Sequence, residues 1–164
     1  MTTSAERTER AELIDLDEAE CLRLITGHGI GRVVFTDSAL PAAQPVAYLL
    51  DGEEVVFRTG GGSKLAAATR GAVVAFQADQ IDTGSRTGWT VLGVGEAYEV
   101  TEPDRLAELA ERMPAPWAPK RTAHTVAIPL RRLTGRRLVA LSGGSAAATS
   151  PCSTGAAVWP AGKE

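Results

Sequence analysis

Histidine and cysteine are scarce in this chain, two of each in 164 residues, and that scarcity excludes a good deal of chemistry. His28 and His124 stand far apart. Cys21 and Cys152 have neither metal-ligand spacing nor the density of a disulfide scaffold, so no metal site is expected and both thiols are read as free. Positive charge is short as well: 17 Lys and Arg stand against 20 Asp and Glu, a net charge of -3, with no basic stripe, which argues against a nucleic-acid surface. No apolar run is long enough to cross a bilayer, and Met1 to Glu12 lacks the apolar centre of a signal segment, so the expected setting is cytoplasmic, without a membrane. Catalytic constellations are missing too. Gly61-Gly62-Ser63-Lys64-Leu65 lacks the second glycine of a nucleophile elbow and no paired carboxylates stand out, which leaves catalytic residues unassigned.

What the chain does have is one stretch built as strand, glycine loop and helix. Val55 to Thr59 is β-branched and aromatic, and alternation sets Arg58 on the face opposite Phe57. Gly60-Gly61-Gly62 permits a sharp turn and close approach of backbone to a ligand, and Ser63 opens a run of helix formers that Gly71 can end. Helix-terminal amides, the Ser63 hydroxyl, Arg58 and Lys64 together suit a phosphate monoester; an N-cap beside solvated charges explains the same residues equally well. It is not a nucleoside-triphosphate loop, because serine precedes lysine and Phe57 stands where the first glycine belongs. Gly27-His28-Gly29-Ile30-Gly31 follows a helix and precedes a strand, the reverse of a dinucleotide fingerprint.

Length and a hydrophobic content of 44% suit one domain. A capping-box pattern, Asp17-x-x-Glu20, opens a helix presenting Cys21, Leu22 and Ile25. Strands are expected over 31–36, 44–50, 55–59, 72–80, 89–100, 124–130 and 137–141, with Pro41 in a loop, Asp51-Gly52 in a hairpin and Thr134-Gly135 in a turn. Gly93 and Gly95 inside a strand mark a bulge or a close approach of another backbone or ligand. Thr101 is placed to cap a helix reaching Met113, and the proline-rich run 114–119 follows as an extended connection. The fold expected is mainly β: a six- to seven-stranded antiparallel split β-barrel with peripheral helices over 13–141, a flexible N-terminus over 1–12 and a flexible Gly/Ala/Ser-rich tail over 142–164.

Pro45-Val46-Ala47-Tyr48, Asp51-Gly52, Val56-Phe57-Arg58-Thr59, Gly62-Ser63-Lys64-Leu65, Gly88-Trp89-Thr90-Val91, Gly95-Glu96-Ala97 and Leu133-Thr134-Gly135-Arg136-Arg137, in that order, resemble the pyridoxamine 5'-phosphate oxidase-like, FMN-binding split-barrel family. The resemblance covers Leu13 to Leu141. It implies a homodimer with two FMN sites at the subunit interface, each built from both chains, acting as an oxidoreductase on a small molecule. Arg58, Thr59, Ser63 and Lys64 match its phosphate positions. Val46, Ala47 and Tyr48 match the strand along the flavin ring, and Trp89 and Thr90 match the strand opposite. Two departures stand out: relatives often carry a polar residue such as asparagine at the place of Ala47, and the tail beyond Leu141 lacks the arginine and histidine that close a true vitamin B6 oxidase. Alternatives are a non-catalytic flavin or haem binder, with His124 as the residue to watch, and a deazaflavin-dependent reductase using Arg86, Lys120 and Arg121.

Overall fold

A computed structural model describes residues 11–26, 29–60, 65, 69–114 and 122–140. Ser63, Lys64, Lys120, Arg121, His28, Cys152, the segment 115–119 and the tail over 142–164 lie outside them. Among the described residues the chain runs β1 (Ala11–Leu16), α1 (Glu18–Thr26), β2 (Ile30–Asp37), β3 (Leu40–Asp51), β4 (Glu54–Gly60), β5 (Val73–Asp82), β6 (Thr87–Glu96), β7 (Tyr98–Glu99), α2 (Pro103–Arg112), β8 (Thr122–Pro129) and β9 (Arg132–Ala140). All strands join one antiparallel sheet in the order β1-β9-β6-β5-β2-β3-β4-β8-β7. It curls into a split half-barrel.

Nine strands replace the six or seven expected. β1 is an edge ribbon on β9 whose residues are largely exposed, so it carries no alternating apolar signal. The single strand expected over 89–100 divides into β6 and β7, because the chain leaves β5 at Glu96 and pairs again with β8 at Tyr98 and Glu99. Pro41 belongs to β3, opposite Thr36, and the turn is the two-residue Ser38-Ala39 with φ of 52° and 66°, positive at both centres as a type I′ hairpin turn requires. Thr134-Gly135 sits in mid-strand; the chain turns at Leu130 and Arg131, and β8 and β9 go to different neighbours, β4 and β6. Gly135 is small for packing: a Cβ there would stand 2.4 Å from the Cys21 sulfur of α1.

Curling puts Val33, Phe57, Phe76, Val91 and Ile128 in one interior core, capped by Cys21 and Ile25 of α1. Asp17 caps α1, its Oδ1 accepting from the Glu20 N–H at 2.8 Å, while the Glu20 carboxylate pairs with Arg23 and Arg137. β6 and β8 meet where the sheet curls over. A Cβ on Gly95 would lie 1.8 Å from the Pro129 carbonyl oxygen, which makes this glycine the close backbone approach that an interior strand glycine signals. α2 covers the outside of β4 and β8, burying Leu109 against Val56, Val100 and Ala127; its N-cap is Glu102, with Pro103 in the first turn, so Thr101 lies outside the helix.

Candidate functional site at a forked strand edge

β3 changes partner along its length. Leu40 to Ala47 pairs with β2, whereas Tyr48 to Asp51 pairs with β4, and the β3–β4 ladder ends at Tyr48 opposite Phe57. Beyond that pair the two strands no longer bond, and a fork opens between Val46-Ala47 on β3 and Arg58-Thr59-Gly60 on β4. Proline explains why β3 tolerates an open edge. Pro41 and Pro45 are four residues apart and share a phase, so both missing N–H groups fall on the side away from β2, where no ladder needs them.

Alternation fixes what the fork presents. The Tyr48 N–H donates to the Gly29 carbonyl at 3.0 Å, toward β2, so the N–H and C=O of Ala47 point the other way, into the fork. On β4 Arg58 stands opposite Thr125, whose carbonyl turns away to accept from the Val100 N–H at 2.8 Å, so that pair exchanges no ladder bond and the backbone of Arg58 faces the fork. Two strand edges with outward donors and acceptors can bond the polar rim of a planar ring. A ring system needing both is what such a cleft fits.

The side chains divide by face. Val46 and Tyr48 are buried in the barrel; the Tyr48 ring packs edge-on to Phe76 with centroids 4.7 Å apart, and its hydroxyl donates to the Ile25 carbonyl at 2.5 Å. Burial pushes the Tyr48 phenol up from its ordinary pKa. Its side chain therefore anchors α1, and what Val46, Ala47 and Tyr48 offer at the fork is backbone. Arg58 points outward, partly exposed, its guanidinium donating to the Ala110 carbonyl of α2 at 3.4 Å. Thr59 points inward and is 5% exposed.

Beside Thr59 lies a feature that sequence reasoning did not assemble. His124 is its cross-strand neighbour, and a bulge falls between Thr59 and Gly60, which pair with His124 and Thr122. Glu99 of β7 holds the ring: Nδ1 lies 2.6 Å from its Oε1, while Arg70 donates to its Oε2 at 3.2 Å. The hydrogen bond from His124 is the main cause that lowers the Glu99 pKa below its ordinary value, opposed by desolvation and aided by Arg70. No sequence signal joins His124 to a glutamate 25 residues away; only the β7–β8 register does.

Trp89 and Thr90 are not brought to this fork. The row Pro45–Arg32–Gln77–Leu92 crosses four strands, so β6 stands three strand spacings from β3, roughly 14 Å along the sheet. Trp89 is 9% exposed in the interior core. Thr90 faces outward into a 470 Å³ groove that Asp15, Leu92, Arg132, Thr134 and Arg136 help to line. Arg86 occupies the β5–β6 loop with φ of 54°. Among the described residues no group of three or more His, Cys, Asp or Glu could hold a metal ion, and no helix is long and apolar enough to cross a membrane.

A curled antiparallel sheet that closes only half a barrel places the chain in the split-barrel class. The chain belongs to the pyridoxamine 5'-phosphate oxidase family, whose model matches residues 17–137. It is 40% identical over 134 residues to the uncharacterised protein Rv0080 of Mycobacterium tuberculosis, covering 79% of this chain and 88% of that one. Among solved structures it is similar to the FAD binding protein from Mycobacterium smegmatis, at 27% identity and a TM-score of 0.61, covering 77% of this chain and 98% of the other. A conserved protein of unknown function from Corynebacterium diphtheriae, DIP1874, matches at 26% identity and a TM-score of 0.66, with 77% and 98% covered.

Proposed function

We propose that the chain is an FMN-binding flavoprotein that works as a homodimer and oxidises or reduces a small molecule. The observation that carries this reading is the fork, where the backbones of Ala47 and Arg58 face an opening that no strand among the described residues fills. Family membership and the likeness to an FAD-binding protein support a flavin as the occupant. Flavin, when bound, supplies the redox chemistry; the chain has to hold it, orient it and keep water from the ring. Ala47 and Arg58 would bond the ring edge through backbone groups. Arg58 and Thr59 bracket the strand end that leads to Ser63 and Lys64, and this charged, hydroxyl-bearing stretch is the part that suits a phosphate. Thr90, which faces outward and is remote from the fork of its own chain, would serve the partner's site, which is the reason to expect a dimer, while the Trp89 side chain stays in the core of its own barrel.

The test is a titration of purified protein with FMN followed by visible absorption, with FAD in parallel. A perturbed flavin spectrum with saturable binding is expected, and loss of a charge-assisted contact in Arg58→Ala should weaken FMN by about tenfold or more, from ~1.5–3 kcal/mol. Riboflavin, which lacks the phosphate, should bind the variant and the parent alike. No spectral change with either FMN or FAD would end the flavin reading while leaving the fold untouched.

A further inference from the structure

The groove on the outer face of β6 and β9 has a charge pattern that the fold itself does not need. Arg132, Thr134 and Arg136 alternate along β9 and so share one face, opposite Val94, Leu92 and Thr90 of β6. Arg132 is exposed and has no ion pair among the described residues, which include its neighbours along β9 and across it on β6. Arg136 pairs with Asp15 at 3.2 Å, but both side chains are largely exposed, and so wet a pair is worth little. Two cations and one carboxylate therefore line the groove, a balance of one positive charge in a chain whose net charge is -3. Between the cations, the Thr134 hydroxyl donates to the Leu92 carbonyl at 3.5 Å, a long bond that it can exchange for a better acceptor. Leu92, 40% exposed, supplies an apolar floor.

We infer that this groove binds a small organic carboxylate, its charged end on Arg132, Thr134 and Arg136 and its apolar body on Leu92. Side chains in a strand lean along it, so both arginines can reach toward the hydroxyl between them, and the guanidinium fork matches a carboxylate with two parallel bonds. The charge balance selects the monoanion: with Asp15 in place, a phosphate dianion would exceed the positive charge that faces it. A volume of 470 Å³ is of the size that holds a small ligand. A strand face that only meets solvent would need neither a concave shape nor two cations of one sign beside an exposed leucine. Thr90 lines the same groove. On the flavin reading above, the carboxylate therefore lies beside the partner's flavin and belongs to the substrate; this last step rests on that reading, whereas carboxylate binding does not.

The experiment titrates the full chain with benzoate and with its neutral analogue benzamide, followed by backbone amide NMR shifts, for the parent, Arg132→Ala and Asp15→Asn, with circular dichroism confirming that each variant is folded. Saturable shifts at Leu92 and Thr134 are expected with benzoate and not with benzamide. Arg132→Ala should weaken benzoate about tenfold, the loss of one charge-assisted contact. Asp15→Asn, which removes the competing carboxylate from an exposed position, should strengthen it about threefold, a gain that a merely structural role for the Arg136–Asp15 pair would not produce. Absence of saturable benzoate shifts in the groove, equal binding of benzamide, or no gain in Asp15→Asn overturns the carboxylate site. A second arm adds benzoate to protein saturated with FMN, where a change in flavin absorption that Arg132→Ala diminishes is expected. No change there overturns the assignment to the substrate and leaves the carboxylate site standing. Benzoate binding in a protein that takes up no FMN overturns the flavin reading alone.

Discussion

Two polar clusters sit on opposite faces of the β4–β8–β7 arm, and they are built differently. On the outer face Arg105 of α2 donates to Glu54 and, at 2.7 Å, to the Tyr98 hydroxyl, which itself donates to Glu54 at 2.9 Å. Arg112 adds a bond to Asp51 at 2.7 Å, and the Arg105 guanidinium also lies 5.9 Å from the Tyr98 ring centroid. Each charge there has its counterpart, and the cluster docks a helix. On the inner face the Glu99 carboxylate is shared, one oxygen lying 2.6 Å from Nδ1 of His124 and the other accepting from Arg70 at 3.2 Å. The outer cluster ties a helix to the sheet through several paired charges, whereas the inner one gathers β7, β8 and the residue Arg70 on a single carboxylate.

The outer clasp gives the largest expected effect. Arg105→Ala removes a partly buried cation from Glu54 and Tyr98 and should cost about 2 kcal/mol, a fall of roughly 4–8 °C in melting temperature for a domain of this size. Tyr98→Phe should cost about half as much, since the hydroxyl only relays the pair. Neither substitution should move FMN affinity. A clasp variant that altered that affinity while the protein stayed folded would erase the distinction between the two faces.

How much of this was legible beforehand depended on what the residues had to do. The strands that fill the interior announce themselves, because Val55, Phe57, Phe76 and Val91 must alternate to reach one core. β1 stays silent because its energy comes from edge pairing and not from burial. Glycines misled in one place and helped in another: Gly135 reads as a turn yet serves to admit the Cys21 sulfur, whereas Gly95 correctly marks a close backbone approach. At the site, Val46, Ala47, Tyr48, Arg58 and Thr59 were nameable from their resemblance to the family, and the fork brings them together. Its open edge follows from the common phase of Pro41 and Pro45, which became visible only once β3 had paired with β2, because Pro41 reads as a loop residue in the sequence. The Glu99–His124 contact was not legible, since a carboxylate finds a histidine across 25 residues only once β7 has paired with β8.

The smallest effect is also the sharpest test of the inner cluster. Glu99 has its pKa lowered from 4.5, chiefly by the hydrogen bond from His124. A carboxylate depressed in the folded state contributes stability that is fully present above its unfolded value and is lost as pH falls through the folded one. Because the group is accessible to solvent, the contribution should stay below about 1 kcal/mol. The melting-temperature difference between the parent and Glu99→Gln should therefore be measurable at pH 6 and shrink toward zero as pH is lowered through the carboxylate range. His124→Gln should reduce that pH dependence, because it removes the main cause of the shift while leaving Arg70 in place. If the parent and Glu99→Gln keep the same separation from pH 6 down to pH 3, the carboxylate is not holding the ring in solution. The imidazole is then free to turn, and the inner cluster no longer ties β7 to β8.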